Sequence, residues 1–128
     1  KVDSLGCPEE TAETFYQFIL RGDDTFEFNT ASLIEGSKIL LNEIASYIKH
    51  QPGSKWRIEG HTDNQGSSSL LKKLSYERAK TIYDYLISQG LPAEQFSVYG
   101  LGNSSSVANN DTPEGRSTNR RIIIIRED

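Results

Sequence analysis

WRIEGHTDNQGSSSLLKKLSYERA, residues 56–79, reads as a strand, a sharp polar loop and the opening of a helix. Trp56 and Ile58 alternate with Arg57 and Glu59, the period-two pattern of a strand over Lys55–Gly60 with one buried face. Asp63 follows in the loop, where Gly66 suits a positive φ. Ser75 is the expected N-cap of the helix, with Ala79, Ile82, Tyr83 and Leu86 as its apolar stripe. That places Arg78 in the first turn, where the helix dipole disfavours a cation by about 0.3–1 kcal/mol. A broken local rule marks a candidate functional position. Arginine's planar fork matches a carboxylate, and aspartate matches an ammonium. Asp63 and Arg78 facing one loop therefore suit a zwitterion carrying both groups on one carbon. The plainer alternatives are an Asp63 that caps its own loop, and a helix that starts near Ser69 with Arg78 on its surface.

Upstream, Phe15–Leu20 has strand composition, Arg21–Thr25 is a turn signal, and Phe26–Phe28 alternates like a short strand. Leu33–His50 carries helical spacing at Leu40, Leu41, Ile44, Ala45 and Ile48, and Pro52 stops it. Downstream, Gly90 and Pro92 end the second helix, and Phe96–Gly100 is a third strand. Residues 102–113 form a long polar loop of the kind that is usually functional or disordered. Pro113–Asn119 makes a helical turn. Ile122–Ile125 is an unbroken run of four isoleucines, expected to be a central strand covered on both faces. The order strand, helix, strand, helix, strand, loop, strand predicts an α/β (α+β) domain built on one mixed sheet. Residues 1–12 are expected to be a linker or lead-in, and 13–128 the domain.

The 128 residues fit one domain able to bury its own core. A formal net charge of -4 makes nucleic acid an unexpected partner. A single cysteine, Cys7, rules out an internal disulfide and a thiolate zinc site. No apolar run approaches the roughly 20 residues of a membrane helix, so any anchor is expected outside this stretch. His61 beside Asp63 suggests catalysis or a metal, but His50 is remote and two ligands without a third make a poor site. No nucleophile elbow is present. A structural His61 bonding a neighbouring loop is the expectation, with no cofactor, no metal and no enzymatic activity. Asn110, Asp111, Thr112, Glu114 and Asn119 read as loop-pinning residues. Arg116, Arg120 and Arg121 either pair with the acids of these loops or face an anionic ligand.

Three ordered motifs carry a resemblance: Gly60–Gly66 (GHTDNQG), Leu74–Ala79 (LSYERA) and Gly115–Arg121 (GRSTNRR). Together they resemble the OmpA-like C-terminal peptidoglycan-binding domain of outer-membrane porins, peptidoglycan-associated lipoproteins and flagellar stator proteins. Phe26–Asn29 is similar to that family's first strand, and the likeness covers roughly 26–126. The resemblance implies a four-stranded mixed sheet with helices on one side and a periplasmic location in an outer-membrane or envelope protein. It implies that Asp63 and Arg78 grip the ammonium and carboxylate at the free end of meso-diaminopimelate in peptidoglycan. Thr62, Asn29 and Phe28 match positions lining the same pocket, and Ile122 matches a backbone contact. One position departs: the family usually places a ligand-touching asparagine where this chain has Leu71, a loss of about 0.5–1.5 kcal/mol if one hydrogen bond goes with it. The alternatives to wall binding are a wall hydrolase, for which no nucleophile is found, and a scaffold of the same fold that binds protein. A weak homodimer would suit the latter.

Overall fold

The computed structural model describes residues 16–127. Lys1–Ala12, Cys7 and the start of the expected first strand lie outside them. Strand β1 (Gln17–Arg21) is followed by a single helical turn α1 (Gly22–Thr25), helix α2 (Ser37–Lys49), strand β2 (Trp56–His61) and helix α3 (Ser68–Ser88). A 3-10 turn leads into β3 (Phe96–Gly102), then a short helix α4 (Pro113–Asn119) and β4 (Arg121–Arg126). The sheet order is β1-β4-β2-β3, with β4 antiparallel to both neighbours and β2 parallel to β3.

The helices cover one face. Leu20, Trp56, Ile58, Ile122 and Ile124 point into a core shared with Leu41, Ile44 and Ile48 of α2 and Ala79, Ile82 and Leu86 of α3. β4 is central, as its isoleucines predict, yet only Ile122 and Ile124 are fully buried. Ile123 and Ile125 are half-buried on the face without helices, beside Glu59 and Arg57 of β2. The Arg57 guanidinium lies 4.3 Å from the Tyr99 ring centre. Long polar side chains with apolar stems thus do part of the covering expected of a second helix layer.

Four local expectations change. Of the expected turn Arg21–Thr25, Gly22–Thr25 forms the helical turn α1 and Arg21 ends β1. Phe26–Phe28 is no strand; Phe26 makes one isolated bridge to Leu33. α2 starts at Ser37, because Leu33 is held in that bridge and the Ile34 N–H donates to the Thr25 carbonyl. α3 starts at Ser68, capped by the Ser67 hydroxyl, which accepts from the Leu70 N–H. Ser75 is therefore mid-helix. It is fully buried, donating to the Lys72 carbonyl at 2.9 Å and accepting from the Gly102 N–H at 3.0 Å. The missing side chains of Gly60 and Gly100 let α3 lie close on β2 and β3, and this close approach sets where Arg78 emerges.

Candidate functional site

The cleft forms where β2 runs out. The Thr62 N–H donates to the Gly102 carbonyl at 2.8 Å, tying the ends of β2 and β3 together. The Thr62 hydroxyl donates to the Asp63 carbonyl at 2.8 Å. Asp63, only 6% exposed, takes the Gln65 N–H on Oδ1 at 2.9 Å, the local loop-capping bond expected of an aspartate after a strand. Its Oδ2 accepts from Arg120 Nη1 at 2.5 Å.

Arg120 is a clamp. Its Nε and Nη2 donate to the two carboxylate oxygens of Asp23 at 2.8 and 2.9 Å, while its own carbonyl accepts the Gly22 N–H at 2.8 Å. One residue thus joins α1, β4 and the β2 loop. The pair raises the Arg120 pKa and holds the Asp23 carboxyl at about 2, below its ordinary 3.8, chiefly through the Arg120 hydrogen bond. Since the folded pKa is the lower one, the stabilisation is complete above about pH 4 and is lost as pH falls towards 2. The Asp23 side chain is 42% exposed, so solvent keeps the effect modest. Asp23→Asn is expected to flatten the stability–pH curve within that window only, as read by urea titrations at stepped pH.

Arg78 faces the same cleft from the third turn of α3, not the first. The dipole reason for singling it out therefore fails, and burial replaces it: Arg78 is only 5% exposed. Its Nε donates to the Thr30 carbonyl at 2.7 Å, and its guanidinium sits 4.9 Å from the Phe26 ring centre. Among the described residues no carboxylate lies in ion-pair contact with it. Burial lowers its pKa; the Asp23 and Asp63 charges oppose this and Arg120 adds to it. An arginine stays charged under any such shift, so the cleft holds a largely desolvated cation that, among the described residues, has no carboxylate in contact.

The cleft has a volume of about 630 Å³, within the range of small-molecule sites. Asp63, Arg78, Thr62, Asn29, Phe28 and Leu71 all line it. The 26–33 segment supplies two of them. Asn29 holds a left-handed backbone (φ 56), which asparagine tolerates, and Phe28 is 87% exposed at the mouth. Leu71 packs near Gly66 and is almost fully buried. Ile122 is set apart: its side chain is in the core, its strand is paired on both sides, and it does not border the cleft. Arg116 and Arg120, two of the arginines expected either to pair with loop acids or to face an anion, border the cleft, and Gly22 and Asp23 border it without having been singled out.

The other arginines do not pair with the acids of their own loops. Arg120 pairs with Asp23 and Asp63 instead. Arg116 donates to the Asn110 carbonyl at 2.9 Å, and Arg121 to the Asn119 and Ser105 carbonyls. With the fully buried Asn119, whose amide bonds Val107, Ala108 and Asn110, they pin the 102–113 loop. His61 bonds Glu59 on its own strand at 3.0 Å rather than a neighbouring loop, since residues two apart share a face of β2. Burial lowers its pKa, and the Glu59 hydrogen bond opposes the shift. Among the described residues no three His, Cys, Asp or Glu side chains gather as a metal site, and no helix is long and apolar enough to cross a membrane.

A half-covered mixed sheet whose strand ends open onto a charged cleft defines a class of small ligand-binding α+β domains. The chain belongs to the OmpA family, whose sequence profile matches residues 25–120. It is similar to the peptidoglycan-binding protein ArfA of Mycobacterium tuberculosis, with 39% identity over 104 residues, 81% of this chain and 32% of ArfA. The chain thus spans about a third of that relative's length. Among solved structures it is similar to the peptidoglycan-associated lipoprotein of Burkholderia pseudomallei (TM-score 0.76, 26% identity, 85% of this chain and 89% of the other). It is also similar to the cell wall anchor of the T6SS from Pseudomonas aeruginosa (TM-score 0.77, 30% identity, 88% and 81%).

Proposed function

We propose that this domain binds peptidoglycan non-covalently through the meso-diaminopimelate of the stem peptide, and so tethers an envelope protein to the cell wall from the periplasm. The reading rests on one observation: Arg78 is a buried guanidinium with no carboxylate partner among the described residues, lining a cleft with the Asp63 carboxylate. A zwitterionic head group answers both. Its carboxylate takes the remaining Arg78 N–H groups, and its ammonium takes the lone pairs of Asp63 that Gln65 and Arg120 leave open. Phe28 and Leu71 offer apolar surface to the methylene chain between the two ends of the ligand, and Thr62 and Asn29 edge the head group. The names of ArfA, of the lipoprotein and of the secretion-system anchor agree with a wall ligand. The domain acts as a holder rather than an enzyme.

The test is calorimetric titration with a stem peptide carrying meso-diaminopimelate and with the same peptide carrying lysine in its place, alongside co-sedimentation with sacculi. Diaminopimelate should bind and lysine should bind at least about tenfold less well once linked in a peptide, because lysine then lacks the carboxylate that Arg78 would hold. Equal binding of both would remove Arg78 from the ligand site. Leu71 in place of the family's asparagine favours a second reading, a scaffold of the same fold that contacts protein. It becomes the better one if neither diaminopimelate nor sacculi are bound.

A further inference from the structure

Among the described residues, the strand at one side of the sheet has no neighbour on its outer edge. β1 pairs only with β4, and among the described residues no strand lies beyond it. The Gly22 N–H donates to the Arg120 carbonyl, and the Arg126 N–H to the Tyr16 carbonyl, both at 2.8 Å. In an antiparallel ladder these bonds recur every second residue, so the even-numbered residues of β1 face β4. Gln17, Ile19 and Arg21 then direct their N–H and C=O groups outward; of these, the Arg21 carbonyl accepts the Thr25 hydroxyl at 2.7 Å. The strand contains no proline, no lysine and no bulge, and its one charged residue, Arg21, stands at its end. Alongside the edge runs a second groove of about 380 Å³, bordered by Leu20, Ile34, Leu40 and Leu41. Ile19 is 55% exposed and Leu40 46% exposed beside it. The other edge strand, β3, borders neither groove.

We propose that this edge is a self-association surface, where β1 of a second copy pairs antiparallel with β1 about a two-fold axis at Ile19. The sequence of the strand selects the occupant. Gln17-Phe-Ile-Leu-Arg21 is close to a palindrome in chemical class, and an isologous contact requires self-complementarity. Centred on Ile19, the outward residues align as Gln17 with Arg21, Ile19 with Ile19, and Arg21 with Gln17, the Arg21 carbonyl being shared with the Thr25 hydroxyl. Ile19 then meets its own copy on the face without helices, and Phe18 comes opposite Leu20 on the helix face. Each Arg21 guanidinium meets a Gln17 carboxamide, and no like charges oppose. Centring on Arg21 would instead set the two arginines against each other, a destabilising pair. The second strand closes the open side of the groove and covers Ile19 and Leu40. The contact is smaller than a standard interface, so dissociation in the range of about 10–1,000 µM is expected.

Sedimentation equilibrium on the whole chain over that concentration range tests this, with native protein, Ile19→Pro and Ile19→Lys. The Ile19 N–H faces outward, so proline removes a donor from the dimer and none from the β1–β4 ladder. Lysine blocks the edge by charge. Both variants should keep the native melting temperature within a few degrees and dissociate at least about tenfold more readily. In a Cys7→Ser background, Ile19→Cys should form a disulfide-linked dimer, because paired residues at the axis lie about 5.5 Å apart between Cα atoms. A native chain that stays monomeric up to about 1 mM overturns the proposal. So does a dimer that both variants leave intact, or a dimer that Ile19→Cys fails to cross-link. Sacculus binding by the Ile19 variants reads the wall site separately and should be unchanged.

Discussion

Replacing Arg78 by methionine is expected to abolish diaminopimelate binding while leaving the unliganded domain as stable as before, or more so. Among the described residues the guanidinium is almost wholly buried and has no carboxylate in contact, so its desolvation is only partly offset within the chain, where the Asp23 and Asp63 charges act from a distance. Its compensation by direct contact is one hydrogen bond to the Thr30 carbonyl and the stack on Phe26. Methionine keeps an unbranched apolar stem against that ring, adds a favourable sulfur contact and removes the charge. Water can reach the Thr30 carbonyl, because that loop is partly exposed. Removing one partner of a desolvated charge pair at a binding site costs about 2–5 kcal/mol, which is a loss of roughly thirtyfold or more in affinity. Arg78→Lys keeps the charge and loses the fork, so it should fall between the two. Thermal melts and titrations on the same samples decide the matter. A methionine variant that binds normally would take Arg78 out of the site. One that unfolds would make it a structural residue.

Arg78 also shows how the sequence can point to a residue for the wrong reason. Its distance from Asp63 was legible; the helix start was present only as the plainer alternative near Ser69, and that alternative put Arg78 on the surface rather than in the cleft. Helix α3 buries Leu71, Ser75, Arg78, Ala79, Ile82 and Leu86 at regular helical spacing. Two of those six are polar, so the unbroken apolar stripe starts only at Ala79 and Ser75 passes for a cap. Ser75 is buried because the sheet beneath it is glycine, and a small side chain fits there; hydrophobic patterning cannot register that kind of burial. Ile122–Ile125 gave away a central strand, but the same run could not tell one helix layer from two. The Asp23–Arg120–Asp63 clamp was out of reach for a different reason. Its members lie 97 and 57 positions apart, and no local period connects them. Only the fold brings α1, the β2 loop and the start of β4 to one point.

Gly60→Ala should cause the largest loss of stability of any single methyl added to this chain's sheet. A Cβ there would lie 2.0 Å from the Ser75 carbonyl oxygen, 2.7 Å from its carbonyl carbon and 3.1 Å from its Cα. These are backbone atoms of a helix and cannot swing aside as a side-chain tip would. Gly60 is itself held between β3 and β4, opposite Gly100 and Ile122, so the strand cannot retreat either. At Gly100 a Cβ would meet Tyr76 at 2.6 Å, which shows that α3 is seated on both glycines together. Relief requires moving the helix off the sheet and opening the core around Ala79 and Ile82. That places the cost at the upper end of overpacking, about 3 kcal/mol or more, from a total of about 5–15 kcal/mol for a domain. The melting temperature should fall by about 10 °C or more. Gly36→Ala is the control: nothing lies within 4 Å of its Cβ position, and it should be neutral or slightly stabilising. The same shift would carry Arg78, one turn beyond Ser75, away from Asp63. Gly60→Ala protein that remains folded at low temperature should therefore bind diaminopimelate more weakly than native, although neither ligand-facing side chain has changed. Normal affinity with a lowered melting temperature would mean that α3 relaxes only near Ser75 and that the cleft is positioned by the Arg120 clamp instead.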